Sequence, residues 1–277
     1  MHRIHTFIKN SFIYILLFIF LLAVIFPFFI SLMVSLKTNV EVITKPLALP
    51  NPPQFKNYLE AIRQGNLITG YKNSLTVTIA SLVLIGITCM MASYVLARFR
   101  FKFNKILFLF FTAGMMIPMP ILFIPLFKMF VSWRLYNTRL GLILIYTAKS
   151  APFAILLLTG YFAEIPSELF ESADIDGASN ITKFKSIATP LATPGLSVVS
   201  VFIFRDIWND FFLPLIFMRK PSLQTLQVGL SWFMGQFSSQ WGMLYATLNL
   251  IVIPLIIMFG LFSQKFIQGM TSGAIKG

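Results

Sequence analysis

Long apolar runs constrain the fold of this chain more than any other feature of its sequence. A helix needs about 20 predominantly apolar residues to cross the hydrocarbon core of a bilayer. Because a backbone in lipid must satisfy its own hydrogen bonds, repeated runs of this length predict an all-α polytopic membrane protein. We expect about six transmembrane helices, at roughly residues 11–36, 74–97, 106–130, 141–160, 195–218 and 244–264.

The composition agrees with this fold class. Hydrophobic residues make up 57% and charged residues 11% of the 277 positions, whereas soluble domains average roughly 45–50% and about 25%. No polar stretch is long enough for a soluble domain, so we predict a single transmembrane domain over residues 1–277. The net charge of +13 comes from basic residues scattered between the apolar runs. This pattern favours contact with lipid headgroups over nucleic acid.

The chain carries few of the groups that catalysis or metal binding needs. The single cysteine, Cys89, excludes an intramolecular disulfide and a thiolate metal cluster. The two histidines, His2 and His5, both lie near the N-terminus, so no Ser/His or metal constellation can be assembled. There is no G-x-x-x-x-G-K-[ST] phosphate loop either. We therefore predict that this chain is not an enzyme and that it binds no cofactor or metal.

The basic residues indicate how the chain crosses the membrane. The first run exceeds the roughly 7–15 residues of a signal-peptide core and no cleavage pattern follows it, so we expect it to stay as a span. Six spans place both termini on one side. Lys and Arg are divided almost evenly between the two sides, but Arg98–Lys105 has four basic residues in eight. Short loops carry the most weight, so we predict that this connector and both termini are cytoplasmic.

Proline and loop patterns add local detail. Pro118, Pro120 and Pro125 predict that the third span is kinked or interrupted. The outer loops are then 37–73, with a short helical pattern at 55–64, and 219–243.

The inner loop 161–194 has its own structural pattern. Pro166 suits the first turn of a helix, Gly177 suits its end, and apolar residues recur at helical spacing up to Pro190. We predict two short helices around a glycine bend. The loop contains two Lys and five acids: Glu164, Glu168, Glu171, Asp174 and Asp176. An amphipathic helix on headgroups is one interpretation, but an anionic leaflet would repel these acids, so a basic protein partner fits better.

The same loop carries a family motif. Glu171-Ser172-Ala173 is followed after three residues by Gly177, after nine more by Ile187, and after one more by Thr189-Pro190. This spacing resembles the EAA loop of ATP-binding-cassette (ABC) importer permeases, with Ser172 and Thr189 in place of alanine and leucine. Three further segments resemble the sugar-importing, MalG-like branch of that family, at residues 55–58, 208–215 and 269–277.

The resemblance implies a mechanism and a set of partners. The chain would be a permease subunit in a bacterial cell membrane that passes a sugar or oligosaccharide delivered by an extracytoplasmic binding protein. It would pair with a second, homologous permease subunit, and two ATPase subunits would bind ATP and Mg. Glu171 would contact a basic group of the ATPase, Gly177 would permit the bend, and the tail from Thr271 would reach the ATPase dimer. The expected ATPase-coupling residues are Glu171, Ser172, Ala173, Asp176, Gly177, Ala178, Ile187 and Pro190.

Ionisable residues inside the apolar runs are a second candidate site, because such groups are costly in lipid and usually face a bundle interior or a wet cavity. Asp206 and Asp210 share a helix face, so we expect a cationic partner, either Lys149 or a residue of a second permease subunit. With Gly195 at the inner surface, Asp210 would lie roughly 22 Å deep. The solute-path candidates are Lys149, Arg205, Asp206, Trp208, Asn209 and Asp210. They either border the solute route or lock helices together.

Two alternatives remain at this point. Intramembrane Asp and Arg are also found in ion-coupled secondary transporters, although these commonly show internal repeats and more spans. If several of the cations faced the route, the solute would be an anionic sugar or a sugar phosphate.

Overall fold

The computed structural model describes the backbone of residues 2–236 and 240–274 and the side chains of residues 10–231, 234–235 and 240–262. Within these ranges the chain is helical and contains no strand, which confirms the predicted all-α class. The helices are α1 His2–Ser35, α2 Asn39–Thr44, α3 Lys56–Gln64, α4 Leu67–Arg98, α5 Asn104–Ala113, α6 Met119–Ser132, α7 Arg139–Glu164, α8 Glu168–Ile175, α9 Asn180–Lys183, α10 Thr189–Asn209, α11 Phe212–Phe217, α12 Leu226–Gln236 and α13 Trp241–Ala274.

Five of the described helices are long and apolar enough to cross a membrane. They cover residues 10–35, 67–98, 139–164, 180–209 and 241–262. The pair α5 and α6 makes a sixth if the two count as one span, and they are bent by 101°. The bend lies where Pro118 adopts an extended conformation just before α6, since proline cannot continue the hydrogen-bond ladder. The predicted interruption of the third span is thereby confirmed.

The fifth span differs from its predicted bounds of 195–218. A continuous helical segment runs from α9 through a π turn at Phe184–Ala188 into α10. The N–H of Thr189 donates to the carbonyl of Phe184, so a π turn lets the helix pass Pro190. The second predicted short helix of the loop is therefore the beginning of the fifth span. The span also ends earlier, at Asn209.

The early end of α10 has a local cause in Asp210. Its backbone is extended, with ψ 128°, and its Oδ1 accepts hydrogen bonds from the N–H groups of Phe212, at 2.9 Å, and Leu213, at 3.5 Å. The carboxylate thus caps the first turn of α11. Helix α10 is unbroken from Gly195 to Asn209, and the depth expected for Asp210 stays a prediction.

The described chain divides into two compact units. One comprises residues up to Leu67 together with Gly229–Ile253, and the other comprises Ile68–Val228 with the stretch that starts at Pro254. The prediction that residues 1–277 form a single transmembrane domain stays a prediction.

The first unit is held by polar contacts around α3, which matches the predicted helix at 55–64. Nδ2 of Asn57 donates to the carbonyls of Ser35, at 2.8 Å, and Lys37, at 3.0 Å. The hydroxyl of Tyr58 lies 2.8 Å from Oγ of Ser35 and 3.3 Å from Nδ2 of Asn249. These contacts tie α3 to the end of α1 and to α13. The apolar side chains of α1 at residues 12–29 are exposed.

The second unit has α7 at its centre. Leu142, Ala154, Leu158 and Phe162 of this helix are fully buried, and α7 packs against α5, α10 and α11. Helix α10 comes especially close at Gly195, where a Cβ atom would lie 2.4 Å from the ring of Tyr161. Only a residue without a side chain fits at this crossing.

Candidate functional site

The acidic loop folds into a capped helix, α8, followed by a sharp bend. Glu168 and Glu171 lie in its first turn, where the positive end of the helix dipole favours carboxylates. At its C-terminus the N–H of Gly177 donates to Asp174 and the N–H of Ala178 donates to Ala173, at 3.1 and 2.9 Å. This is a Schellman cap, which requires a left-handed residue. Gly177 supplies it with φ +75°, so the structure shows the predicted bend.

Helix α8 is fixed to the bundle through Phe170, its buried residue. The guanidinium carbon of Arg98, the last residue of α4, lies 4.2 Å from the centroid of the Phe170 ring. Nη2 of Arg98 also donates to the carbonyl of Ile165, in the connection between α7 and α8.

Tyr94 completes the packing around Phe170. Its ring centroid lies 5.2–6.2 Å from the centroids of four other rings, those of Phe99, Phe162, Phe170 and Phe184. Tyr94 is itself buried. These rings belong to α7, α8, the π turn and the connector after α4, so one aromatic cluster joins all of these segments.

The other side of the loop faces solvent. Ile175 is 89% exposed, although it is a large apolar residue. Lys183 pairs with Asp174 at 2.6 Å, while Glu168, Glu171 and Asp176 form no ion pair with any described residue. Of the expected coupling residues, Ala173, Ala178 and Ile187 are partly buried, and Glu171, Ser172, Asp176, Gly177 and Pro190 are exposed.

The intramembrane polar residues come together only in part. Nζ of Lys149 lies 2.8 Å from Oδ2 of Asp206, so the structure brings these two candidates into an ion pair. Arg205 and Asn209 are exposed, and Nδ2 of Asn209 donates to the carbonyl of Arg205. Asp210 points its carboxylate at the start of α11.

Trp208 is placed differently from the other candidates. Its side chain is 1% exposed and stacks on Phe204 at 5.6 Å with an interplanar angle of 7°. The ring of Tyr71 lies 6.0 Å away. In this conformation the indole is therefore covered by protein and offers no face to a sugar.

Sequence reasoning missed three residues at these sites. The sequence analysis used Arg98 only as a charge that determines the membrane topology, and it did not consider Tyr94. Tyr146 is buried, and Nζ of Lys149 lies 6.0 Å from the centroid of its ring. It lies three residues before Lys149, and this helical spacing was a signal that could have found it. Among the described residues no group of three or more His, Cys, Asp or Glu could hold a metal ion.

Several apolar spans with an anchored, solvent-exposed acidic helix on one loop are features of a membrane transport subunit. The chain belongs to the family described as the binding-protein-dependent transport system inner membrane component, whose model matches residues 85–272. This membership confirms the ABC importer permease resemblance. It also confirms that the chain is the permease subunit and not the ATPase. An ion-coupled secondary transporter, the alternative, is thereby excluded.

Several relatives are similar over nearly the whole chain. The sulfoquinovosyl glycerol transport system permease protein SmoH of Agrobacterium fabrum is 32% identical, and the match covers 91% of this chain and 89% of SmoH. The diacetylchitobiose uptake system permease protein NgcG of Streptomyces coelicolor is 30% identical, with coverage of 94% and 87%. Both names describe permeases for sugar-containing solutes.

A solved structure shares the fold. It is the crystal structure of a bacterial ABC transporter involved in the import of the acidic polysaccharide alginate. One of its chains superimposes with a TM-score of 0.80 at 22% identity, and the match covers 94% of this chain and 96% of that one. A second crystal structure, of a bacterial alginate ABC transporter with its pentasaccharide-bound periplasmic protein, gives a TM-score of 0.66 at 16% identity, with 94% of each chain covered.

Proposed function

We propose that this chain, together with a second permease subunit, imports a sugar or oligosaccharide that an extracytoplasmic solute-binding protein delivers. Two ATPase subunits, which bind the ATP and Mg, dock at the 161–194 loop. The named substrates of the relatives SmoH and NgcG support a sugar-containing solute. The alginate transporter that was crystallised with its periplasmic protein supports a binding-protein partner.

The observation that carries this proposal is the arrangement of α8. One side chain of the helix, Phe170, is buried, while Glu171, Asp176 and Ile175 face solvent. An apolar side chain that is 89% exposed and carboxylates without ion pairs gain free energy when a partner with an apolar groove and basic residues covers them. The ATPase subunit is that partner.

Each expected coupling residue has a structural reason for its assignment. Glu171 and Asp176 offer carboxylates to basic groups of the ATPase. Ser172 and Ala173 keep the surface of α8 small, so that the helix can enter a groove. Gly177 and Ala178 form the cap that turns the chain. Ile187 and Pro190 lie at and just after the π turn that joins the loop to α10.

The loop side of the bundle is the cytoplasmic side in this proposal. ATP is available there, and the basic connector after Arg98 lies at the same end of α4. Both termini are then cytoplasmic, in an inner membrane protein. Labelling of a cysteine introduced at Phe103, which is 56% exposed in the connector after α4, by a membrane-impermeant reagent tests the orientation. Reaction in inverted vesicles but not in intact cells is expected, and the opposite result would contradict it.

The polar residues of α10 are proposed to divide into two groups. The Lys149–Asp206 pair has no net charge and joins α7 to α10, so it acts as an interhelical lock. Arg205 and Asn209 are exposed on α10, and we assign them to the solute route together with Asp210, because amide, guanidinium and carboxylate groups bond sugar hydroxyls. Trp208, being buried, packs the bundle.

An anionic sugar is a second candidate solute. Arg205 is exposed and forms no ion pair with any described residue, so its charge is available to a carboxylate or sulfonate. Uptake in vesicles that carry the complete complex distinguishes the two candidates. Inhibition of uptake by uronate oligomers and not by neutral oligosaccharides of the same length would support the anionic solute, and the reverse would remove it.

The proposal is tested with the complete complex, purified with its co-encoded subunits and reconstituted in vesicles with its binding protein. Uptake is expected to require ATP and to persist with an ionophore. Glu171→Lys is expected to weaken binding of the ATPase subunits, whereas Glu60→Lys on α3 serves as a matched charge reversal outside the loop. Uptake without nucleotide, or equal ATPase binding by both variants, would contradict the proposal.

A further inference from the structure

The coupling loop needs a physical connection to the membrane helices, and the structure offers three routes from α8. The chain itself leads to α7 through Ile165–Ser167 and to α9 through Gly177. The Lys183–Asp174 ion pair joins α8 to α9. The third route is the packing of Phe170 against Arg98 and Tyr94 of α4.

Two of these links, the bend at Gly177 and the Lys183–Asp174 ion pair, are weak. Gly177 is exposed, and no atom lies within 4 Å of the position a Cβ would take there, so nothing packs against the bend. Asp174 is 58% exposed in its ion pair with Lys183, and exposed pairs of this kind contribute little because solvent screens them.

The two aromatic residues of the third route, Phe170 and Tyr94, are buried. Arg98 donates a hydrogen bond to the carbonyl of Ile165, just before α8, and its guanidinium lies over the ring of Phe170 within α8. Nε of Arg98 is buried and bonds to no described atom, so the position of the guanidinium depends on these two contacts. A planar cation on an aromatic face is held more strongly where water is excluded. Tyr94, one turn earlier in α4, contacts the same ring.

We propose that the Arg98–Phe170 contact is the joint through which movement of α8 reaches α4 and, through it, the other membrane helices. This inference rests on the proposed function, because it requires ATPase subunits that displace the loop. Phe170 and Arg98 are positioning residues in this scheme: they touch neither nucleotide nor solute. Tyr94 spreads the movement from α4 to α7 and to the π turn through Phe162 and Phe184.

The measurement that tests the joint is the ratio of solute imported to ATP hydrolysed in the complete reconstituted complex. A variant that merely lowers the amount of folded complex lowers both rates together and leaves this ratio unchanged. Phe170→Ala and Arg98→Gln are expected to hydrolyse ATP while the ratio falls about fivefold or more, the usual size of a lost coupling between two sites. Phe170→Tyr, which keeps an aromatic face under the guanidinium, is expected to restore the ratio.

Matched controls are available close by in the sequence. Arg100→Gln removes the same charge two residues after Arg98, from an exposed side chain. Phe103→Ala truncates the same side chain at a position that is 56% exposed. Asp174→Asn removes the competing link to Lys183. All three are expected to keep the wild-type ratio.

The possible outcomes distinguish failure of this inference from failure of the proposed function. A wild-type complex without ATP-driven uptake would overturn the proposed function, and this inference with it. A coupled wild type with an unchanged ratio in Phe170→Ala and Arg98→Gln would overturn the inference alone, as would an equal loss in Arg100→Gln. If Phe170→Ala does not assemble, Phe170→Leu and Arg98→Gln decide the question by the same ratio.

Discussion

Lys149 on α7 and Asp206 on α10 are 57 positions apart in the sequence, yet the ammonium nitrogen of one lies 2.8 Å from a carboxylate oxygen of the other. Their side chains are 27% and 50% exposed, respectively. The pair therefore joins two membrane helices at a place that solvent or solute can reach. Its proposed role as an interhelical lock is tested by charge variants of the two residues.

Lys149→Met and Asp206→Asn are each expected to lower the free energy of unfolding by about 1 kcal/mol or less, because the pair is partly exposed and screened. The charge-swapped double variant, Lys149→Asp with Asp206→Lys, is expected to recover most of this loss. Thermal unfolding in detergent measures the stability, and solute uptake is measured in parallel. A double variant that is stable but has a changed KM for uptake would assign the pair to the solute route instead.

The crossing of α7 and α10 depends on the absence of a side chain at Gly195. In Gly195→Ala the new methyl group would lie 2.4 Å from Cγ of Tyr161, so the helices must separate, at a cost of about 1–3 kcal/mol. Gly160→Ala is the control, since its Cβ would meet nothing within 4 Å. A lower melting temperature is expected only for Gly195→Ala, and truncation of Tyr161 in that background should recover part of it. Equal melting temperatures for the two alanine variants would contradict the prediction.

The bend after α8 depends on the backbone of Gly177. At φ +75° an alanine would be strained by about 1–2 kcal/mol, whereas asparagine tolerates this region. Gly177→Pro cannot reach this φ and also loses the N–H that donates to Asp174. We expect solute imported per ATP to decrease in the order Asn, Ala, Pro at this position. Full coupling in Gly177→Pro would show that the bend plays no part in transmission.

Asn57 is a buried hydrogen-bond donor that serves two carbonyls, those of Ser35 and Lys37. Asn57→Ala leaves both without this donor, and we expect it to cost about 1–3 kcal/mol of stability. Thermal unfolding in detergent measures the loss against Lys56→Ala, an adjacent exposed position. Gly242→Ala should have a similar effect, because its Cβ would lie 2.5 Å from Nδ2 of Asn57. The role of Asn57 would be refuted by a melting temperature like that of Lys56→Ala.

The start of α2 depends on pH through Glu41. The backbone N–H of Thr38 donates to the Glu41 carboxylate and lowers the pKa of this carboxyl below its ordinary value. The cap is therefore fully present above that ordinary value and is lost as the pH falls through the lowered pKa. Carbon-13 NMR of labelled glutamate, recorded as a function of pH, should show a titration inflection for Glu41 below the ordinary pKa of a glutamate. Thr38→Pro fits the φ of −75° at this position but removes this N–H and the hydroxyl that also donates to the carboxylate, so it should raise the inflection. An inflection that does not move would mean that the hydrogen bonds from Thr38 do not set the pKa.

Several elements of the fold and the site followed from local patterns. The apolar runs identified the spans, the prolines located the bend between α5 and α6, and Gly177 marked the end of α8. Each of these depends on interactions within a few residues, such as a missing N–H or a positive φ. The fifth span was misplaced because the helical pattern of the loop was expected to end at Pro190. The π turn before Pro190 compensates for the missing donor, and this compensation leaves no clear sequence signature. The tail motif at residues 269–277 lies outside the side chains that the structure describes.

The sequence by itself determined the class of this protein, because transfer of backbone and side chains into lipid permits so few arrangements. It also located the coupling loop, because the motif spacing is local. Only the tertiary structure decided which distant side chains meet. It paired Lys149 with Asp206, buried Trp208 against Phe204 and Tyr71, and placed Arg98 on the face of Phe170. Such contacts depend on the rotation of each helix about its axis and on the crossing points between helices. Packing sets both, and packing involves residues far apart in the chain.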